Sequence, residues 1–389
     1  MNATRAIDLE DTEGLLAADT EGLLRAASSA GAQVRAIGAA ADEGALDSLR
    51  ADDRPRSVIW VSGRGTAETA GAVLAATLGG AASEPIAVVG EAPPWVGPLD
   101  VLIVAGDDPG DPALVTSAAT AVRRGARLVV VAPYEGPLRD STAGRAAVLA
   151  PRIWVPEEFG LCRYLAAGLA VLRTVDSRLG IDLELLADEL DAEALRNSAA
   201  RELFTNPAKT MAARMAGRRV GLAGDGAATI ALARHGSSVL LRLAHQVVAA
   251  IGLADAIVAL RAGWSDGFGA GQYGAASSVD ALFHDEEIDG PLPERLRVLA
   301  LTLAADRTVV AARVAGLDDV DVVAAEDVPD LPPVPDLSGG PAGPGGSSGP
   351  DGLAGGLRTS IGAGSAWQQL AVLAVRLEMA AVYMRLVRG

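Results

Sequence analysis

The chain has 389 residues, of which 50% are hydrophobic and 3% aromatic, and its formal net charge is −16. This length favours two or three domains. A chain this acidic repels nucleic acid and anionic membranes, so we expect neither nucleic acid nor a membrane as a partner. The single cysteine, Cys162, excludes an intrachain disulfide and favours the cytoplasm. The sequence contains no uninterrupted apolar run of about 18 residues, so we expect no membrane span. With only three histidines we expect no resident metal, and no motif calls for a cofactor.

The first half of the chain has the pattern of a parallel α/β domain. Residues 1–50 are predicted to form a helical segment, and residues 51–180 alternate short apolar runs with Ala-rich stretches. Runs as apolar as SVIWV are typical of strands buried on both faces. Such sheets bind ligands at the carboxyl ends of their strands, so we expect a ligand at the loops that begin at Ser62 and Gly106. Strands are predicted at 57–61, 86–89, 101–105, 128–131 and 148–155, and helices at 66–78 and 112–123.

The second half repeats this order after a helical bridge. The bridge is predicted over 181–216 and a second α/β domain over 217–329, in which the loop Gly224-Asp225-Gly226 separates a strand from a helix. Residues 330–356 are rich in Pro, Gly and Ser and are predicted to be a flexible linker, and residues 357–389 contain a C-terminal helix. The other predicted helices are 159–172, 182–203, 207–215, 227–234 and 237–251, and the strands are 220–223, 298–303 and 320–324.

Three segments carry a resemblance to a known family: VIWVSGRGTAETAGA, NPAKTMAARMAG and GLAGDGAATIALARHGSS. Together with the order of the predicted domains, bridge and C-terminal helix, these segments resemble the bifunctional phosphoglucose/phosphomannose isomerases of the sugar-isomerase (SIS) superfamily. The resemblance is closer to the TobH-type branch. The resemblance implies two SIS-type doubly wound parallel-sheet α/β domains joined by the helical bridge. It also implies a homodimer and a sugar phosphate as ligand, either mannose 6-phosphate or glucose 6-phosphate.

The loop Ser62-Gly63-Arg64-Gly65-Thr66 matches the family's first phosphate loop. Glycines let the backbone approach an anion closely, amides at a helix N-terminus point toward it, and two hydroxyls add donors. The alternative is a plain strand-to-helix turn in which Thr66 caps the helix.

The second family loop should be rich in hydroxyls, but here it carries Asp107, Asp108 and Asp111. One carboxylate about 4 Å from a phosphate charge costs on the order of 4 kcal/mol at an effective dielectric constant near 20. The loop therefore points away from the phosphate, binds a cation, or contacts sugar hydroxyls. We take Asp107 as a sugar contact.

The family's catalytic positions are replaced by other residues. The glutamate that acts as base falls in the apolar run after Arg234, and the family's later histidine and lysine have no counterpart. Glu68 and His235 are the remaining candidates for proton transfer. Three further residues are predicted to contact the ligand: Arg163, which could replace a family arginine, Lys209, whose alternative is a structural role, and Asp225, whose alternative is a turn.

Three functions remain open from the sequence. The first is an active aldose–ketose isomerase, which the whole-chain resemblance favours. The second is a non-catalytic protein that senses a sugar phosphate or scaffolds an enzyme of mannose metabolism, which the missing residues favour. The third is a nucleotide-binding protein that uses Ser62-Gly63-Arg64-Gly65, although this loop lacks the full dinucleotide and P-loop patterns.

Overall fold

The strands of the first half pair side by side in one parallel sheet. The computed structural model describes residues 7–50, 53–262, 296–326 and 364–388. The strands are β1 (Ser57–Val61), β2 (Ile86–Val89), β3 (Asp100–Ala105), β4 (Arg127–Val131) and β5 (Ala146–Val148). Their order in the sheet is β2-β1-β3-β4-β5. Val61 at the end of β1 lies beside Val89 of β2 and Val104 of β3, so the loops that follow these strands share one edge.

Helices cover both faces of this sheet because its side chains alternate between two apolar layers. Val58 and Trp60 of β1 face the larger core, whereas Ile59 and Val61 face the smaller one. The helices of this half and of the bridge are α1 (Thr12–Ala18), α2 (Leu23–Ala27), α3 (Ala30–Asp42), α4 (Gly65–Leu78), α5 (Pro112–Arg124), α6 (Gly136–Thr142), α7 (Leu161–Val175), α8 (Leu183–Arg196) and α9 (Pro207–Met215).

Two glycines let the indole of Trp60 lie between α4 and α7. A Cβ atom at Gly71 would come within 2.4 Å of the indole, and one at Gly168 would come within 2.2 Å of Leu74 and 3.1 Å of the indole. The indole nitrogen donates a hydrogen bond to the carbonyl of Ala67 at 2.9 Å. This packing attaches the first turn of α4 to β1 and so sets the position of the loop between them.

A second parallel sheet follows with the order β7-β6-β8-β9. Its elements are β6 (Arg219–Gly224), α10 (Ala227–Ala244), β7 (Val248–Gly252), α11 (Leu253–Arg261), β8 (Leu296–Leu301), α12 (Arg307–Val314) and β9 (Val320–Val323). The structure thus confirms an α/β fold with two parallel sheets.

Two predicted elements are wrong. The helix predicted at 237–251 does not exist separately, because α10 runs unbroken to Ala244 and ends where His245 adopts a left-handed φ of 50°. The chain then pairs β7 with β6. Likewise, the strand predicted at 148–155 is Ala146–Val148. In both places the Val-rich run alone did not show where the strand lies, because pairing decides its ends.

The C-terminal helix α13 (Ala366–Arg388) lies in the larger core rather than on the surface. It contacts α8, α9 and α10, and its polar side chains find buried partners. Arg376 pairs with Glu193 of α8 at 2.8 Å, and the Tyr383 hydroxyl donates to the carbonyl of Asn197 at 2.6 Å. The helix therefore joins the bridge to the second α/β half. Among the described residues, every helix is too short or too polar to be a candidate membrane span.

The predicted linker, 330–356, lies outside the described residues. The predicted boundaries of the domains stay a prediction, although the two sheets fall within 51–180 and 217–329.

Candidate functional site

The loop after β1 opens on a cavity of about 490 Å³ at the carboxyl edge of the first sheet. Gly65 has a φ of +69°, a conformation that glycine adopts without strain, and it begins α4. A Cβ atom at Gly63 would meet nothing within 4 Å, so the backbone there is open to a ligand. The residues that line this cavity are Gly63, Arg64, Gly65, Ala105, Gly106, Asp107, Asp108, Asp111, Leu114, Glu157, Ser238 and Arg242.

A smaller cavity of about 200 Å³ shares Gly65, Ser238 and Arg242 with the first. It lies between the first turn of α4 and one side of α10. The amides of that first turn have no partners within the helix, so they present partial positive charge at this end of α4. The residues that line the smaller cavity are Gly65, Thr66, Glu68, Thr69, Glu158, Arg234, His235, Ser238, Val239 and Arg242.

Most charged groups of the two cavities are already paired. Arg64 lies 3.7 Å from Asp108 and 3.9 Å from Asp111, and Arg242 contacts Glu157 and Glu158. Arg234 and Glu68 are the exceptions: neither has an ion pair with any residue that the structure describes. Glu68 is exposed, so its carboxylate is solvated.

Behind the first cavity, three buried polar groups have no hydrogen-bond partner in the described part of the chain: Ser62 Oγ, Arg163 Nη1 and the Tyr164 hydroxyl. The other terminal nitrogen of Arg163 donates to Asp107 at 2.7 Å, and its guanidinium stacks on the ring of Tyr164. Burial raises the pKa of the Tyr164 hydroxyl, which therefore stays protonated at neutral pH. Since buried polar groups rarely remain unpaired, these groups indicate that a ligand or water completes the site.

The smaller cavity ends on a buried histidine–glutamate pair. His235 Nε2 lies 2.8 Å from Oε1 of Glu378, and both side chains are almost fully buried. Burial raises the pKa of Glu378, whereas the hydrogen bond from His235 acts in the opposite direction. Burial raises the pKa of the Cys162 thiol, and the nearby Glu378 carboxyl raises it further. The thiol is therefore inert.

The structure brings most of the predicted site residues together. Gly63, Arg64, Gly65, Thr66, Glu68, Asp107 and His235 line the two cavities, and Ser62 and Arg163 lie directly behind them. The Thr66 hydroxyl donates to the carbonyl of Glu157 at 3.2 Å rather than capping α4, whose N-cap residue is Arg64.

Two predicted residues lie apart from these cavities. The Lys209 ammonium is buried and donates to the carbonyls of Ala199 and Arg201, both at 2.8 Å, which is the structural alternative named above. Asp225 pairs with Arg313 at 2.5 Å on the second half of the chain. The three aspartates of the second loop line the larger cavity, but the described residues contain no group of three or more His, Cys, Asp or Glu that could hold a metal ion.

Sequence reasoning missed one wall of the smaller cavity. Arg234, Ser238 and Arg242 follow one another at intervals of four residues and so lie on one face of α10. The spacing is visible in the sequence, but the division of α10 into two helices concealed it. Sequence reasoning could not identify Glu378 as the partner of His235, because the two residues lie 143 positions apart in the chain.

Comparison of the whole structure with solved structures identifies the fold. A candidate phosphosugar isomerase from Bacillus subtilis aligns with a TM-score of 0.56 and 15% identity, over 93% of this chain and 95% of its own. The tagatose-6-phosphate ketose/aldose isomerase of Escherichia coli aligns with a TM-score of 0.55 and 15% identity, over 98% and 93%. Glucosamine-6-phosphate deaminase of Thermotoga maritima aligns with a TM-score of 0.55 and 9% identity, over 94% and 95%.

The chain has the SIS fold of the phosphosugar isomerases. No protein-family model matches the sequence, and no curated protein matches it. The structural likeness at this level of identity concerns the fold, whereas the ligand has to be argued from the residues of the cavities.

Proposed function

We propose that this protein binds a sugar phosphate in the two joined cavities between the loop after β1 and α10. The observation that carries the proposal is the loop itself, where Gly63 and Gly65 expose backbone at the start of α4 beside a cavity large enough for a hexose phosphate. The unpaired buried groups Ser62 Oγ and Arg163 Nη1 support it, because a ligand or a bound water would satisfy them. The SIS fold supports it too, since the E. coli and T. maritima structures are enzymes of sugar phosphates by name.

The finer form of the proposal is aldose–ketose isomerisation of mannose 6-phosphate or glucose 6-phosphate. Such a reaction needs a base that moves a proton between C1 and C2 of the sugar. It also needs a second group that donates and accepts protons at the oxygen atoms of these carbons. Among the described residues that line the cavities, Glu68 is the one carboxylate without an ion pair, and His235 is the one histidine. We assign the role of base to Glu68 on that ground.

A non-catalytic sensor of the same ligand is the second candidate. Every other carboxylate that lines the cavities faces an arginine, and Nε2 of the His235 ring is already engaged by Glu378. An arrangement so rich in internal pairs favours recognition over proton transfer.

Binding is tested by calorimetry with glucose 6-phosphate, mannose 6-phosphate and the unphosphorylated hexoses. We expect the phosphate esters alone to bind. Gly63→Asp fills part of the open space beside the larger cavity with a charged side chain and should weaken binding about 10-fold or more, because the ligand loses room there. Gly80→Asp, an equally exposed glycine with free space around its Cα, makes the same change of charge elsewhere and should leave affinity unchanged. Equal affinity of the two variants, or no binding by the wild type, contradicts the proposal.

Turnover separates the two candidates. A coupled assay with fructose 6-phosphate should detect isomerisation that Glu68→Gln lowers by about 10²–10⁴-fold if Glu68 is the base. Binding without turnover supports the sensor.

The proposal extends to membership of the TobH-type branch, to a homodimer and to the cytoplasm. Size-exclusion chromatography with light scattering tests the dimer directly: an elution at the mass of one chain, 39.3 kDa, contradicts it.

A further inference from the structure

The smaller cavity has one positively charged wall, which a single face of α10 supplies. Arg234 and Arg242 lie eight residues apart, two helical turns, with Ser238 between them. Arg234 is exposed and forms no ion pair with a described residue, although the chain has 49 acidic residues. An unpaired arginine beside a cavity, in so acidic a chain, is placed to meet an anion.

The larger cavity has the opposite character. Its lining includes four carboxylates and two arginines, and both of those arginines already contact carboxylates of the same lining. The smaller cavity has two carboxylates, two arginines and the histidine. A ligand that is anionic at one end and rich in hydroxyls at the other is therefore favoured in one orientation, because carboxylates accept hydrogen bonds from hydroxyls and repel an anion.

We propose that the anionic group of the ligand binds in the smaller cavity, between the first turn of α4 and the Arg234–Ser238–Arg242 face of α10, and that its hydroxyls lie in the larger cavity. This inference rests on the proposed binding of a sugar phosphate and adds an orientation to it. Because Glu68 lines the smaller cavity, this orientation places C1 and C2 of a hexose 6-phosphate away from Glu68 and favours the sensor over Glu68 as base. It places the anion on α10 rather than between the loops at Ser62 and Asp107. Arg234 is then the residue that determines specificity for an anion, and the backbone amides of α4 complete the site.

His235 connects anion binding to proton uptake. Its Nε2 is occupied by Glu378, whereas its Nδ1 has no hydrogen-bond partner in the described ranges and its ring lines the cavity. The charged groups around the ring are Glu378 of α13, Glu68 of α4, Glu158, and Arg234 and Arg242 of α10, with the Cys162 thiol of α7 beyond Glu378. A phosphate next to Nδ1 would accept a hydrogen bond there, so that, with Glu378 accepting at Nε2, both ring nitrogens would carry a proton.

The orientation is tested by calorimetry on Arg234→Gln with glucose 6-phosphate, mannose 6-phosphate and inorganic phosphate. We expect a loss of affinity of about 10- to 100-fold, the factor for one hydrogen bond between charged groups. Arg124→Gln is the matched control, because Arg124 is also exposed, on α5, and lies outside both cavities. Equal affinities of the two variants overturn the orientation and leave the proposed function standing. If the wild-type chain binds none of the three probes, both proposals fail.

Proton uptake is measured on the wild type by repeating the titration in buffers of different ionisation enthalpy. We expect the apparent enthalpy to depend on the buffer in the direction of uptake. The ¹⁵N spectrum of the three histidines assigns the proton without any mutation: the His235 signals should shift toward the imidazolium pattern with phosphate, whereas those of the exposed His245 should not. Unchanged His235 signals in a chain that binds phosphate overturn this part of the inference.

Discussion

The two α/β halves use the same local arrangement, a strand followed by a glycine loop and a helix, in different ways. In the first half the loop after β1 itself borders the cavities, through Gly63, Arg64 and Gly65. In the second half no residue of the loop after β6 lines either cavity, and Asp225 is paired with Arg313. There it is the side of α10 that forms a wall, through Arg234, Ser238 and Arg242. A repeated motif therefore indicates a repeated fold, and each copy must still be examined for its own chemistry.

Helix α13 packs against elements of both halves, and loss of its buried Arg376–Glu193 ion pair should have the largest effect on the free energy of unfolding. Burial opposes ionisation of Glu193, but Arg376, Arg196 and Asn197 outweigh it and lower the pKa of the carboxyl. Glu193→Ala leaves the Arg376 guanidinium buried without its partner carboxylate, so we expect a loss of about 3–5 kcal/mol in the free energy of unfolding. Urea unfolding measures it, with Glu184→Ala, an exposed glutamate of the same helix, as control. Equal stabilities would mean that α13 is not held by this pair.

Part of the loss of fold stability in acid is expected to arise in the first half, at Asp100. Burial disfavours the charge of Asp100, but hydrogen bonds from Arg56, Ser57 and the Gly97 amide lower its pKa below the usual value. A lowered pKa stabilises the fold above the unfolded-state pKa of about 3.9, and this stability is lost as the pH falls through the folded-state value.

Asp100→Asn should therefore cost about 1.5–3 kcal/mol at pH 7 and less at pH 3. Chemical denaturation at the two pH values checks it, and a cost that does not change with pH refutes the assignment. Asp319→Asn, a change of the same type in the second half, serves as the reference variant.

Substitution of one buried helical glycine in each half compares how tightly the two halves are packed. Gly71→Ala on α4 would place a methyl group within 2.4 Å of the rigid Trp60 indole, whereas Gly236→Ala on α10 would meet the end of the flexible Leu222 side chain at 2.7 Å. We expect Gly71→Ala to lower the stability by about 1–3 kcal/mol through overpacking. Gly236→Ala should cost less because its contact relaxes, whereas the preference of alanine for a helix, about 1 kcal/mol, favours both variants equally. Thermal unfolding of both variants gives the order, and the reverse order would show that α4 is the more loosely packed helix.

The smallest effect is expected at the loop after β6. Asp225→Asn removes a partly exposed ion pair with Arg313, a change of about 0–1 kcal/mol. Since Asp225 borders neither cavity, affinity for hexose phosphates should not change. A loss of affinity as large as that of Gly63→Asp would show that the two glycine loops serve the ligand alike.

Local sequence patterns determined much of this fold. Apolar runs such as Val58–Val61 are typical of strands buried on both faces, and Asn206-Pro207 marks the start of α9 because an asparagine cap and a proline in the first turn both favour a helix there. The same local reasoning identified the loop from Ser62 to Thr66 at the edge of the sheet. It misjudged 237–251, where a Leu- and Val-rich run suits a helix and a strand equally well.

Tertiary structure alone decided what these parts do. It enclosed Lys209 beneath backbone carbonyls, paired Asp107 with Arg163, and set Glu378 behind His235. None of these outcomes has a local signal, because a buried charge takes whichever partner the packing of distant helices places beside it. The sequence by itself therefore determined most of the strands and the loop after β1, and the assembled helices decided which charges remain available for a ligand.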